Sequence, residues 1–133
     1  MLNKCSNLGF SETDLSEIEV KIRVELDKTE VVPSLLHGDL WGGNGSFADG
    51  EPVIFDPATY FGDREADMAM TELFGGFGPD FYAGYTDAWP LSTNYGRKKT
   101  IYNWYHIANH YVLFGGGYLN QAKSMLSQIK TFN

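Results

Sequence analysis

The stretch His37-Gly38-Asp39-Leu40-Trp41-Gly42-Gly43-Asn44, answered downstream by Val53-Ile54-Phe55-Asp56, decides how this chain folds. A short apolar run, Ser34-Leu35-Leu36, leads into it. Between the two halves, Asp49-Gly50 is a residue pair that tolerates positive φ at both centres of a tight turn. Gly45-Ser46-Phe47 and Pro52-Val53-Ile54-Phe55 are therefore predicted to pair as a hairpin. The consequence reaches past the fold. A hairpin sets Asn44 at one end beside Asp56 at the other, so that two oxygen donors twelve residues apart face one place.

Upstream, Ser11-Glu12-Thr13-Asp14 reads as a helix start, with Ser11 as cap, Asp14 at the third helical position, and Phe10 and Leu15 spaced as a hydrophobic staple. Leu15, Ile18, Ile22 and Leu26 recur at three- and four-residue steps, which makes one apolar stripe. That helix should end near Lys28, before Pro33. Downstream, Asp63 can cap a helix through Ala66, Met70 and Leu73 that stops at Gly75-Gly76. A second carries Phe81, Tyr82, Tyr85 and Trp89 and stops at Pro90. A third starts near Tyr95, places Ile101, Trp104, Tyr105, Ala108 and Val112 at helical spacing, and ends at Gly115-Gly116-Gly117. A fourth runs from about Leu119 to Ile129. The aromatic stripes are expected in the core. The fold class is thus α+β, mostly α-helical, with one small hairpin, in a single domain over residues 1–133.

Composition narrows the function classes. The chain is 43% hydrophobic and 20% charged, as a globular protein is. Seventeen acids against ten basic residues give a net charge of −7, a surface that repels a phosphate backbone and argues against nucleic acid as partner. The single cysteine, Cys5, cannot form an internal disulfide. No apolar run approaches the roughly 20 residues that span a bilayer, and the first residues lack a signal-peptide core. A cytoplasmic location without membrane contact is expected.

The chemistry lies in three oxygen-bearing side chains. Phosphoryl transfer needs a carboxylate to orient the attacking hydroxyl and accept its proton, and oxygen ligands for metal ions that bridge the nucleotide phosphates. Asp39 is the candidate base. Asn44 and Asp56 are candidate ligands of Mg2+, one neutral and one charged. His37 is placed to brace the loop by hydrogen bonds, and Gly42-Gly43 lets it turn before Asn44. Trp41, beside the base, can stack on a sugar face or simply pack. His106 and His110 share a helical face, but no glutamate or third ligand completes a zinc site there. Structural roles are expected for both, with a sugar contact from His110 as a further expectation.

At these residues the sequence resembles a known family. Pro33-Ser34-Leu35-Leu36-His37-Gly38-Asp39-Leu40-Trp41-Gly42-Gly43-Asn44 resembles the catalytic loop of the fructosamine kinases (ketosamine-3-kinases), within the aminoglycoside-phosphotransferase group of protein-kinase-like folds. The similarity continues through Pro52–Ala58 and Tyr60–Phe77, and resumes at Phe81-Tyr82, at Ala88–Leu91 and from Tyr105 to Leu119. The resemblance implies Asp39 as base, Asn44 and Asp56 as metal ligands, and Asp67 as a buried acid bracing the catalytic loop. It implies ATP as co-substrate and the 3-hydroxyl of a ketosamine as acceptor.

Two departures stand out. Gly45-Ser46 occupies a place where the family carries an apolar strand residue, which predicts a late start to the hairpin. Before His37 there is no glycine-rich loop, and the only lysines are Lys4, Lys21 and Lys28, so the resemblance is to the C-terminal lobe of the kinase fold, with the nucleotide-clamping lobe absent. Two hypotheses follow: an ATP-dependent ketosamine kinase of which this is the C-terminal part, inactive alone, and a truncated module that binds a sugar, metal or partner without turnover. Metal-dependent hydrolysis fits the spacing less well. Apolar surface left by a missing lobe would also favour self-association.

Overall fold

The structure, a computed structural model, describes residues 8–133, so Lys4 and Cys5 lie outside the described residues. In chain order the elements are α1 (Glu12–Leu26), β1 (Ser34–Leu36), β2 (Gly45–Ala48), β3 (Glu51–Ile54), β4 (Tyr60–Gly62), α2 (Glu65–Leu73), α3 (Pro79–Ala88), α4 (Tyr95–Phe114) and α5 (Leu119–Lys130). They divide into two compact units, residues 30–95 and residues 8–29 with 96–133. The α+β, mostly helical class predicted is the class observed. Among the described residues no helix is long and apolar enough to cross a membrane.

The unit of residues 8–29 and 96–133 is helical. Ser11 caps α1, its hydroxyl accepting from the Asp14 backbone while the Asp14 carboxylate accepts from the Ser11 N–H. Such a cap is worth about 1 kcal/mol. Helices α1 and α5 pack together, and Ile18, Ile107, Leu126 and Ile129 are fully buried. Each such side chain contributes roughly 1.5–3 kcal/mol on leaving water. Sequence periodicity missed the buried charged residues Glu25 and Lys98. Glu25 is buried, and its carboxylate is paired with Lys28 at 2.7 Å and with Arg97 at 3.1 Å, which offsets the cost of keeping the charge inside. The buried face of α4 is Ile101, Trp104, Ile107 and Ala108. Tyr105 and Val112, expected to share it, are exposed.

The unit of residues 30–95 holds both ladders. β2 and β3 form the predicted antiparallel hairpin, with Ser46 opposite Val53, around a turn whose two central residues, Asp49 and Gly50, have φ of 53° and 84°. The late start does not occur. Pairing begins at Gly45 opposite Ile54, where the missing Cβ leaves room for the Phe77 ring. A second ladder was not anticipated: β1 pairs antiparallel with β4, Leu36 opposite Tyr60. Helix α2 is buried over much of its circumference, including Ala66, Met68, Ala69, Met70 and Thr71. The Asp63 carboxylate accepts from the Glu65 N–H at its start. Buried Glu65 accepts from the Ser92 N–H at 2.5 Å and the Ser92 hydroxyl at 2.7 Å, which ties the loop after α3 to α2. No residue of α3 is buried. Its aromatic rings, and Trp89 after it, line a surface rather than fill a core.

Candidate active site

The loop after β1 is built around one carboxylate. Asp67, on the first turn of α2, accepts the His37 N–H at 2.7 Å on one oxygen and the Gly38 N–H at 2.9 Å on the other. Gly38 takes φ +83°, and a Cβ there would lie 2.0 Å from the Ala58 carbonyl oxygen, so only glycine fits. The Ala58 N–H in turn donates to the His37 carbonyl at 2.8 Å.

The His37 imidazole links this loop to the end of the hairpin. Its Nε2 lies 2.9 Å from the Phe55 carbonyl and must donate there, while Nδ1 accepts the Asp39 N–H at 3.3 Å. One neutral tautomer satisfies both contacts. Phe55 also donates its N–H to the Asn44 carbonyl at 3.1 Å. The backbone of Phe55 thus joins the loop at two points and sets the adjoining Asp56 on the same edge. Asp56 has φ +52°, in the left-handed region that aspartate enters more readily than most residues, as Asp49 does in the hairpin turn.

Asn44 is buried and points at Asp39. Its amide nitrogen donates to the Asp39 carbonyl at 2.9 Å and to the Asp39 carboxylate at 3.1 Å. With Nδ2 so committed, Oδ1 is the oxygen that Asn44 can offer a cation. Asp39 is half-buried and Asp56 exposed. Among the described residues no group of three or more His, Cys, Asp or Glu side chains gathers into a closed metal cage. The donor set suits Mg2+, which is commonly held by one or two protein oxygens and completed by substrate phosphates and water.

Trp41 is 39% exposed, meets Phe74 edge to face at 6.3 Å, and lies over Gly43, where a Cβ would fall 2.2 Å from the indole. His110 lies in the other unit. Its Nδ1 donates to the His106 carbonyl at 2.8 Å, and its ring faces Phe114 and Tyr118. Five of the predicted site residues, Asp39, Asn44, His37, Asp67 and Asp56, are therefore tied together by hydrogen bonds or by adjacency to Phe55. Sequence reasoning missed Phe55, because its contribution is made by backbone atoms. It also missed a cleft of about 510 Å³ lined by Glu72, Gly75, Gly76, Phe77, Tyr82 and Leu91. Gly75-Gly76 had signalled only a helix end.

Comparison with known proteins gives a consistent result. The sequence profile described as fructosamine kinase matches residues 1–132. A probable ketoamine kinase of Vibrio parahaemolyticus is 57% identical over 124 residues, covering 93% of this chain and 43% of that protein. The ketosamine-3-kinase of Mus musculus is 36% identical over 114 residues, covering 86% of this chain and 37% of the relative. A Haemophilus somnus crystal structure classed as a fructosamine-3-kinase superposes with a TM-score of 0.82 at 32% identity, over 96% of this chain and 44% of its own. The chain spans less than half the length of the relatives it matches.

Proposed function

This chain belongs to the fructosamine kinase family, and from that premise we propose that it carries the acceptor-activating and metal-holding side of an ATP-dependent ketosamine kinase. One observation carries the reading: the Asn44 amide sits 3.1 Å from the Asp39 carboxylate, with Asp56 joined to the same edge through Phe55. In the reaction the acceptor oxygen bonds to the γ-phosphorus of ATP, the bond from that phosphorus to the β,γ-bridging oxygen breaks, and ADP leaves. The hydroxyl proton passes to Asp39. Mg2+, when bound, offsets charge on the phosphates.

The chain's own residues supply position. Asn44 holds the Asp39 carboxylate in one orientation, and His37 and Asp67 fix the backbone on either side of it. A base so placed contributes about 10²–10⁴ in rate. Asn44 Oδ1 and Asp56 are the groups that would hold the metal. Trp41, half-exposed beside the base, gives a flat apolar face for the sugar ring. The proposed acceptor atom is O3 of the ketosamine.

These 133 residues hold no glycine-rich phosphate-covering loop before His37, so little or no transfer is expected of the chain alone. The test is a chimera in which residues 1–132 replace the matched segment of the Vibrio parahaemolyticus relative. Phosphate arriving at O3 of fructosyl-lysine, located by phosphorus–proton NMR, supports the reading. A chimera that folds and binds ATP but phosphorylates no ketosamine overturns it.

A further inference from the structure

We propose that the cleft beside the catalytic loop seats the amine substituent of the acceptor, with Glu72 reading its positive charge and Phe77 and Tyr82 holding its alkyl stem. This rests on the ketosamine reading above. A ketosamine bears a secondary amine on C1, protonated at neutral pH, so its substituent is a cation followed by an apolar chain.

The cleft abuts the loop that carries the base. A Cβ on Gly42 would lie 3.8 Å from the Gly76 carbonyl oxygen, and one on Gly45 would fall 2.9 Å from the Phe77 ring. Trp41 meets Phe74 at the same junction. The segment 74–77 thus backs the catalytic loop, and its residues Gly75, Gly76 and Phe77 also wall the cleft.

The lining suits an amine better than a sugar. Glu72 is the charged residue among the lining groups, and the walls are Phe77, Tyr82 and Leu91. A hydroxylated ring would want several convergent hydrogen-bonding groups, whereas an ammonium on an alkyl stem wants one carboxylate and aromatic faces. At about 510 Å³ the space is far larger than an ion needs and suits a side-chain-sized ligand.

The walls are also held in place beforehand. Phe77 donates its N–H to the Tyr82 oxygen at 3.1 Å, Tyr82 donates to the Thr71 hydroxyl at 3.2 Å, and Thr71 donates to the Met68 carbonyl at 2.7 Å. Tyr95 donates to Glu72 at 2.5 Å and orients the carboxylate. Burial first, and then the Glu72 carboxylate, raise the Tyr95 pKa, so this hydrogen bond stays protonated throughout the working pH range.

Calorimetry on the 133-residue chain at low salt tests the assignment with two probes. One is Nα-acetyl-Nε-fructosyl-lysine; the other is 1-O-butyl-fructose, the same ketose with a neutral ether at C1. The cationic probe should bind about fivefold more tightly. Glu72→Gln should erase that preference and leave the ether's affinity unchanged. Tyr95→Phe, which removes the hydrogen bond but keeps the charge, should retain it. If both probes bind the wild-type chain equally, or if the preference survives Glu72→Gln, the cleft assignment is overturned while sugar binding stands. Equal loss in Tyr95→Phe would trace the effect to packing and overturn it too. A chain that binds neither probe overturns the ketosamine reading, and this proposal with it.

Discussion

The Asp67 carboxylate accepts the backbone N–H of His37 at 2.7 Å, although thirty residues separate them. Its other oxygen takes the N–H of Gly38, so one side chain of α2 satisfies two donors of the loop that carries Asp39. Asp67→Ala strands both N–H groups, and hydrogen bonds to a charged acceptor are worth roughly 1.5–3 kcal/mol each. A loss of about 3 kcal/mol in urea denaturation is expected, with Asp67→Asn retaining part of the stability. A loss under about 0.5 kcal/mol for Asp67→Ala would show that water replaces the carboxylate at no cost.

Gly38 and Gly50 have nearly the same φ, +83° and +84°, in different surroundings. A Cβ on Gly50 meets nothing within 4 Å, whereas one on Gly38 collides with the Ala58 carbonyl oxygen. Gly50→Ala should therefore cost only the left-handed penalty of about 1–2 kcal/mol. Gly38→Ala should cost several kcal/mol more, because backbone must move. Thermal denaturation of the two variants gives the comparison, and equal costs would contradict the close approach.

Trp41 offers a partly exposed ring that lies over Gly43 and against Phe74. If the ring stacks on the acceptor, Trp41→Ala in the chimera raises KM for the ketosamine about fivefold and leaves kcat nearly unchanged, a stacking contribution near 1 kcal/mol. An unchanged KM would leave the ring with packing alone.

Lys130 and Asp14 form an ion pair that joins α5 to α1. The hydrogen bond from Lys130, then those from Ser11, lower the Asp14 pKa from 3.8 to about 2. A carboxyl depressed in the folded state stabilises fully above its unfolded value, and the contribution fades as pH falls through that window. The stability gap between wild type and Lys130→Met should hold from about pH 5 to about pH 8 and shrink below about pH 4, read by denaturant titration. A gap undiminished near pH 2 would contradict the assignment.

How much of this was legible in the sequence follows the range of the forces involved. The Ser11 cap and the Asp49-Gly50 turn were readable because each is set within four residues. The approach of Asn44 to Asp39 and to Phe55, the neighbour of Asp56, was readable because short loop and hairpin spacing sets it. The β1–β4 ladder was not, since three-residue strands show no alternation and their partners lie far apart in the chain. Buried Glu25 was not, because Arg97, which helps to neutralise it, comes from α4. Helical spacing marks the stripe of α4 but not its edge, and Tyr105 and Val112, spaced for the buried face, are exposed. The cleft at Glu72 was invisible because its lining comes from α2, the loop after it, α3 and Leu91, without a period to read.

The role of Asp39 is tested by the rate of γ-phosphoryl transfer from ATP to fructosyl-lysine by the chimera, with and without Asp39→Asn. Asparagine preserves the shape of the loop but accepts no proton, so kcat should fall by about 10²–10⁴ with nucleotide affinity unchanged. Transfer within a fewfold of the unsubstituted chimera would contradict that role and remove Asp39 from the reaction.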